Sequence, residues 1–137
     1  MSLVLDSSAT LASVYPNETT PALMELFARV IENGAWVPAL WPLEVANVLE
    51  MGVRRGRTDA AFRDTALGDL ALLPIRTDPE TGARAWSETL RIAEKHKLTL
   101  YDAAYLELAM RRGLPLATLD ADLRAAAAAE GLTLLGL

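Results

Sequence analysis

Four acidic residues stand far apart in this chain, each at a position where a buried charge needs a reason. Asp6 ends the apolar run Ser2-Leu3-Val4-Leu5, and Asp120 ends Leu116-Ala117-Thr118-Leu119. Glu44 lies in Trp41-Pro42-Leu43-Glu44-Val45-Ala46-Asn47, and Asp102 follows Leu100-Tyr101. A carboxylate among apolar neighbours is costly to bury unless a cation compensates it. Mg²⁺ or Mn²⁺ is the simplest compensation, because both favour carboxylate oxygen. Such an ion binds phosphate oxygens and acidifies a water, so the set points to metal-dependent chemistry on phosphates.

Each acid also has a plain structural explanation. Asp6 suits a turn after a strand, Asp120 an N-cap, and Asp102 the first turn of a helix, where it complements the dipole. Glu44 would then simply face solvent. What favours the functional reading is that one fold collects all four. Short apolar runs alternate with helical patterns along the whole chain, which implies βαβ units, a parallel sheet and helices on both faces. In such sheets ligands bind beyond the carboxyl ends of the strands, where Asp6 and Asp120 leave them.

The expected strands are Ser2–Leu5, Trp36–Ala39, Leu73–Thr77, Leu116–Leu119 and Leu132–Leu135. Pro74 makes the third short or near an edge. Between them, Ser8 or Thr10 can cap a short helix, which Pro16 and Asn17 break. Thr20-Pro21 opens a helix with an apolar stripe of Leu23, Leu26, Phe27, Val30 and Ile31, closed by Asn33-Gly34. Trp41–Arg54 follows, with Val45, Val48, Leu49 and Met51 inward. Thr58 is the expected cap of a helix burying Ala61, Phe62, Ala66 and Leu70. One long helix is expected from Thr81 through Trp86 and Leu90 to Lys97. Helices at Leu100–Arg112, stopped by Gly113, and at Asp120–Glu130 complete the series.

At 137 residues, 52% of them hydrophobic and 23% charged, the chain reads as one domain spanning 1–137, with a core of its own. It holds no cysteine, so disulfides, thiolate metal sites and cysteine nucleophiles are excluded. Its single histidine, His96, stands in Glu94-Lys95-His96-Lys97 at an expected exposed helix end, which excludes a ribonuclease built on a histidine pair. No apolar run approaches the roughly 20 residues of a membrane span, and Met1–Leu5 lacks a basic leader. A soluble, cytoplasmic protein is expected. The net charge of −5 does not decide against RNA, because bound divalent ions reverse the sign of an acidic pocket.

Val4-Leu5-Asp6-Ser7-Ser8, Pro42-Leu43-Glu44-Val45-Ala46-Asn47-Val48-Leu49, Leu98-Thr99-Leu100-Tyr101-Asp102-Ala103-Ala104-Tyr105 and Leu116-Ala117-Thr118-Leu119-Asp120-Ala121-Asp122-Leu123 follow one another across the chain. In that order and spacing they resemble the PIN domain family, in particular the VapC-type toxins of toxin–antitoxin pairs. The resemblance implies a three-layer α/β/α sandwich with a central parallel sheet and an endoribonuclease using Mg²⁺ or Mn²⁺. It makes Asp6, Glu44, Asp102 and Asp120 the catalytic, metal-holding quartet, supported by the hydroxyls of Ser7 and Thr118. It also implies an RNA substrate, a small antitoxin partner whose tail covers the early helices, and a homodimer.

Other residues stay open at this level. Asp122 is either a fifth carboxylate acting on a second ion through water or a first-turn helix acid. Trp41, near Glu44, is a candidate pocket rim or partner contact, whereas Trp86 falls on an apolar stripe and is expected in core or interface. Arg54 and Arg55, with Arg57, suit an RNA backbone or an acidic partner, and Arg111-Arg112 suits a solvated helix end. Two rival functions remain. A haloacid-dehalogenase-like phosphatase also begins with a strand ending in Asp, but an acid should follow two residues later, where Ser8 stands. A catalytically silent PIN-like interaction module differs only in binding without cleaving.

Overall fold

Strings of Leu, Val and Ala too short for helices form strands here, because a parallel sheet covered on both faces needs apolar residues on both sides of each strand. The computed structural model describes residues 1–137. Five strands, β1 (Val4–Leu5), β2 (Ala35–Val37), β3 (Ile75–Thr77), β4 (Leu116–Ala117) and β5 (Leu134–Leu135), pair in the order β3-β2-β1-β4-β5, all parallel. Val4 is in register with Trp36 on one side and Leu116 on the other. All five strands are shorter than the apolar runs suggest, and β3 is an edge strand, as Pro74 led one to expect.

The helices are α1 (Ser7–Val14), α2 (Pro21–Asn33), α3 (Trp41–Arg54), α4 (Ala60–Ala71), α5 (Thr81–Arg84), α6 (Glu88–His96), α7 (Leu100–Arg112) and α8 (Ala121–Ala129). They flank the sheet in a three-layer α/β/α arrangement, with α7 packed on β1 and β4 and α1 joining α2 to α3. Leu3, Val4, Leu5, Val37, Leu116 and Tyr105 are among the fully buried side chains. The chain builds β1, β2 and β3 outward in one direction, then crosses back to lay β4 and β5 on the other side of β1. That reversal puts a crevice between the carboxyl ends of β1 and β4.

Local signals set most boundaries. Thr20 Oγ1 accepts from the Leu23 N–H with Pro21 beside it, and Gly34, at φ 77°, ends α2 in a conformation costly for other residues. Elsewhere the structure corrects the expectation. Asp59, not Thr58, caps α4, since its carboxylate reaches the Phe62 N–H at 2.8 Å. Ser8 and Thr10 do not cap α1; both hydroxyls donate to Asp6 instead. Ile31, Val48 and Ala61 are exposed, as the ends of each stripe rotate out of the core.

The single helix expected over Thr81–Lys97 is two, α5 and α6, broken at Ala85–Ser87. Gly82 is a poor helix former, and the Ser87 N–H and hydroxyl both turn back to the Arg84 carbonyl. The break leaves Trp86 91% exposed, so it is not in the core. Arg111 and Arg112 are not solvated either. Both bind the buried Asp78, whose Oδ2 receives Arg111 Nη2 at 2.7 Å and whose Oδ1 receives Arg112 Nη2 at 3.0 Å. Arg112 also lies 3.5 Å from the Trp36 ring centre, locking the end of α7 to β2 and β3.

Candidate active site

The crevice between β1 and β4 is lined by hydroxyls and acids. Asp6 follows β1, its N–H bonded to the Ala117 carbonyl at 2.9 Å, and its side chain is buried. Its Oδ2 accepts from Ser8 Oγ at 2.6 Å and from Thr118 Oγ1 at 2.7 Å, while Oδ1 has only Ser7 Oγ, at 3.4 Å. Thr118 Oγ1 in turn receives the Asp120 N–H at 3.1 Å, and Ser8 Oγ receives the Leu119 N–H at 3.0 Å. These bonds tie the ends of β1 and β4 together across the crevice.

Asp120 is the N-cap of α8, and its Oδ2 accepts from the Leu123 N–H at 2.9 Å. Glu44 projects from the first turn of α3, where its Oε1 accepts from the Tyr105 hydroxyl at 2.6 Å. Asp102 lies in the first turn of α7, which Thr99 caps through the Asp102 N–H. The capping and dipole roles foreseen for Asp120 and Asp102 are thus real, and they coexist with a shared electrostatic environment.

That environment is strongly negative. Asp102 is pushed up to about 6, first by burial and then by the charges of Asp120, Asp6, Glu44 and Asp122. Glu44 is raised by burial and by Asp6, against the lowering effect of the Tyr105 hydrogen bond. Asp6 is raised by burial, opposed by the Ser8 and Thr118 hydroxyls. Burial, then the bond to Glu44, holds the Tyr105 phenol protonated far above its usual range. As they stand, no three acidic side chains converge closely enough to enclose an ion. Like charges repel, and Glu44 and Asp120 are each tethered to their own partners.

Asp122 is exposed in the first turn of α8 and contributes repulsion to Asp102, sharing a shallow cleft with His96, Lys97 and Ala125. His96 is not an exposed helix end, for its ring nitrogen Nε2 lies 2.8 Å from Glu130. Trp41 is no rim residue: it is buried, and its indole N–H donates to Thr10 Oγ1 at 3.0 Å. Arg54 and Arg55 stand at the far end of α3 from Glu44, about 15 Å along the helix, so they do not reach the pocket. Arg54 pairs with Glu50 there.

Two side chains bound to these acids, Ser8 and Tyr105, lie outside the set the sequence points to. In sequence, Ser8 suits a helix cap and Tyr105 is one member of an apolar motif. The available signal for Tyr105 was its spacing, three residues after Asp102 and therefore on the same helix face.

Known proteins share this architecture. The sequence model of the PIN domain matches residues 3–129. The chain is 32% identical over 123 residues to Ribonuclease VapC3 of Pyrobaculum aerophilum, covering 90% of this chain and 92% of that protein. The crystal structure of PAE2754 from Pyrobaculum aerophilum superposes with a TM-score of 0.71 at 27% identity, over 98% of this chain and 83% of that one. VapBC2 from Rickettsia felis, solved bound to a DNA fragment from its promoter, gives 0.63 at 10% identity, over 98% and 97% of the two chains. The strand-end crevice, its acids and the matched sequence lead to one assignment: this chain belongs to the PIN domain family, among its VapC-like members.

Proposed function

We propose that this chain is a metal-dependent endoribonuclease, the toxin of a VapBC-type pair, with Asp6, Glu44, Asp102 and Asp120 as its working acids. The observation that carries the reading is how the carboxylate oxygens are engaged. Asp6, Glu44 and Asp120 each have one oxygen in hydrogen bonds of 2.6 to 2.9 Å, their other oxygens are at most weakly engaged, as Asp6 Oδ1 is by Ser7 Oγ at 3.4 Å, and Asp102 has no side-chain partner. Bonded oxygens fix the side chains, and the remaining ones are left to a ligand.

An all-carboxylate donor set suits Mg²⁺ or Mn²⁺. Mg²⁺ usually keeps several waters and takes only one or two carboxylates directly, so an open pocket fits it better than a closed cage. When bound, such ions bind phosphate oxygen and lower the pKa of a water. The chain's own part is to hold the acids in place. Ser8 and Thr118 orient Asp6, the α8 N-terminus orients Asp120, and Ser7 and Thr118 supply the hydroxyls that line the floor. Asp122 acts from the rim by adding negative charge. Attack of water in line at phosphorus breaks the P–O3′ bond and leaves a 5′ phosphate and a 3′ hydroxyl.

Support for an antitoxin partner comes from the kinship with VapC proteins and from a groove of about 390 Å³ beside α1, α2 and α4. Val14, Met24, Phe27, Phe62 and Leu70 line it, giving an apolar tail a place to lie. Homodimer formation is supported by the exposed Trp86, in the break before α6, and Leu90 in its first turn. No helix is long and apolar enough to cross a membrane, and the cytoplasm, where RNA is found, is the proposed workplace.

Cleavage of total cellular RNA in Mn²⁺, beside the Asp102→Asn variant and with product ends mapped, tests the reading. Discrete cuts bearing 5′ phosphates, absent with the variant, are expected. Identical RNA patterns from both folded proteins would instead favour a silent interaction module.

A further inference from the structure

Tyr105 is the largest fully buried side chain in the protein, yet its polar end is aimed at the acidic pocket. A buried phenol needs a partner, and its short bond is to a carboxylate oxygen, Glu44 Oε1 at 2.6 Å, with the Ser7 hydroxyl beside the pair. That length belongs to a charge-assisted O–H···O⁻ bond. The link crosses from α7 to α3, two helices far apart in sequence, and Asp102 lies one turn earlier on the same helix as Tyr105. One rigid helix therefore carries an acid and also steers a second acid.

Glu44 needs steering more than the others. It has the longest side chain of the four, and its neighbours Leu43 and Asn47 are exposed. No capping role ties it down, as one ties Asp120. Without the Tyr105 hydroxyl only Ser7 would be left beside the carboxylate, and rotation about three side-chain bonds would let it swing away from Asp6 into water.

We infer that Tyr105 is a positioning residue of the pocket, whose hydroxyl fixes Glu44 through Oε1 and leaves Oε2 as the oxygen offered to a divalent cation. The inference rests on the metal-dependent reading above. Tyr105 touches neither substrate nor ion and acts through Glu44 alone. Removing a partner that orients a ligand typically weakens metal binding by about 10–100-fold.

Mn²⁺ binding to the whole chain, followed by calorimetry without RNA, tests it in wild type, Tyr105→Phe, Glu44→Gln and the double variant, with Asp102→Asn as reference. Tyr105→Phe keeps the ring and its packing, so the same melting temperature to within a few degrees is expected, with Mn²⁺ affinity down about tenfold or more. In the Glu44→Gln background the same substitution should change affinity by less than about twofold, because the pair then has nothing left to lose. Equal affinity of Tyr105→Phe and wild type, while Asp102→Asn binds weakly, overturns the inference and spares the metal reading. Equal losses in both backgrounds assign Tyr105 to general packing and also overturn it. Wild type that binds no Mn²⁺ removes both. If Tyr105→Phe does not fold, the ultraviolet difference spectrum of wild type decides. A tyrosine perturbation that saturates with the Mn²⁺ isotherm is expected, and a flat phenol band counts against.

Discussion

Asp102 sits at the head of a helix whose dipole favours its negative charge, yet four neighbouring carboxylates work against that charge. The balance lifts it to about 6, so it holds a proton at mildly acidic pH that the unfolded chain has already lost. Between the ordinary aspartate value of about 3.9 and 6, the folded state therefore binds more protons than the unfolded one, and stability falls as pH rises through that interval. The raised Asp6 and Glu44 act in the same direction. Melting in EDTA should accordingly give a higher Tm at pH 5 than at pH 7.5, and Asp102→Asn should flatten that slope. The same variant should be more stable than wild type at pH 7.5 without metal, because it removes one of the repelling charges. It should also lose RNA cleavage by about 10²-fold or more, the scale expected when several kcal/mol of metal-assisted stabilisation disappear. A variant that loses both stability and activity would show that Asp102 serves the fold instead. Asp6, Glu44, Asp102 and Asp120 were visible in the sequence because each interrupts an apolar pattern. Tyr105 was not, since a buried tyrosine and a tyrosine aimed at a carboxylate have the same neighbours in sequence.

Helix ends follow local rules closely here, and departures from them are informative. Gly34, Gly56, Gly113, Gly131 and Gly136 occupy positive φ, and Lys97, at φ 56°, is the one other residue that does. It closes α6 in a left-handed conformation that costs an L-residue roughly 1–2 kcal/mol. Lys97→Gly should raise stability by about 1 kcal/mol in urea unfolding, and no gain would mean that the lysine side chain offsets the strain. At α4, Asp59→Ala should cost about 1 kcal/mol, while Thr58→Ala should cost far less, because the Thr58 hydroxyl is buried without a partner. Equal losses would restore the cap to Thr58. Strong periodicity and clear stop signals made α2, α3 and α7 legible, with α7 matching to the residue. The break between α5 and α6 was hidden, because the apolar spacing through Trp86 and Leu90 continues across it. Adjacent Thr58 and Asp59 are both good caps, and only the geometry of the first turn chooses between them.

Across the whole molecule, charge is used in two opposite ways. The crevice between β1 and β4 concentrates acids that no ion pair neutralises, whereas Asp78 is neutralised internally by Arg111 and Arg112. Burial alone would raise Asp78, but the two guanidinium groups outweigh it and hold its carboxyl below the usual range. Its contribution is present above about pH 4 and is lost as pH falls further, the reverse of Asp102. Asp78→Ala should destabilise the fold by about 3 kcal/mol at pH 7, since it strands the partly buried Arg112, while Arg111 keeps Glu107 and Glu80. A loss below about 1 kcal/mol, measured by urea unfolding, would mean that water replaces the carboxylate there. The α/β class and the expected pocket edge were legible from alternation alone, but the strand order was not, since nothing in the apolar runs says which strands are neighbours. That order has a consequence for how the protein is made. Asp6 leaves the ribosome long before its partner, for the Thr118 hydroxyl that grips it comes 112 positions later. Every nascent chain that stalls before Leu116 lacks one whole wall of the crevice. An enzyme that would cut RNA thus stays unassembled beside the message encoding it until β4 and Thr118 have emerged.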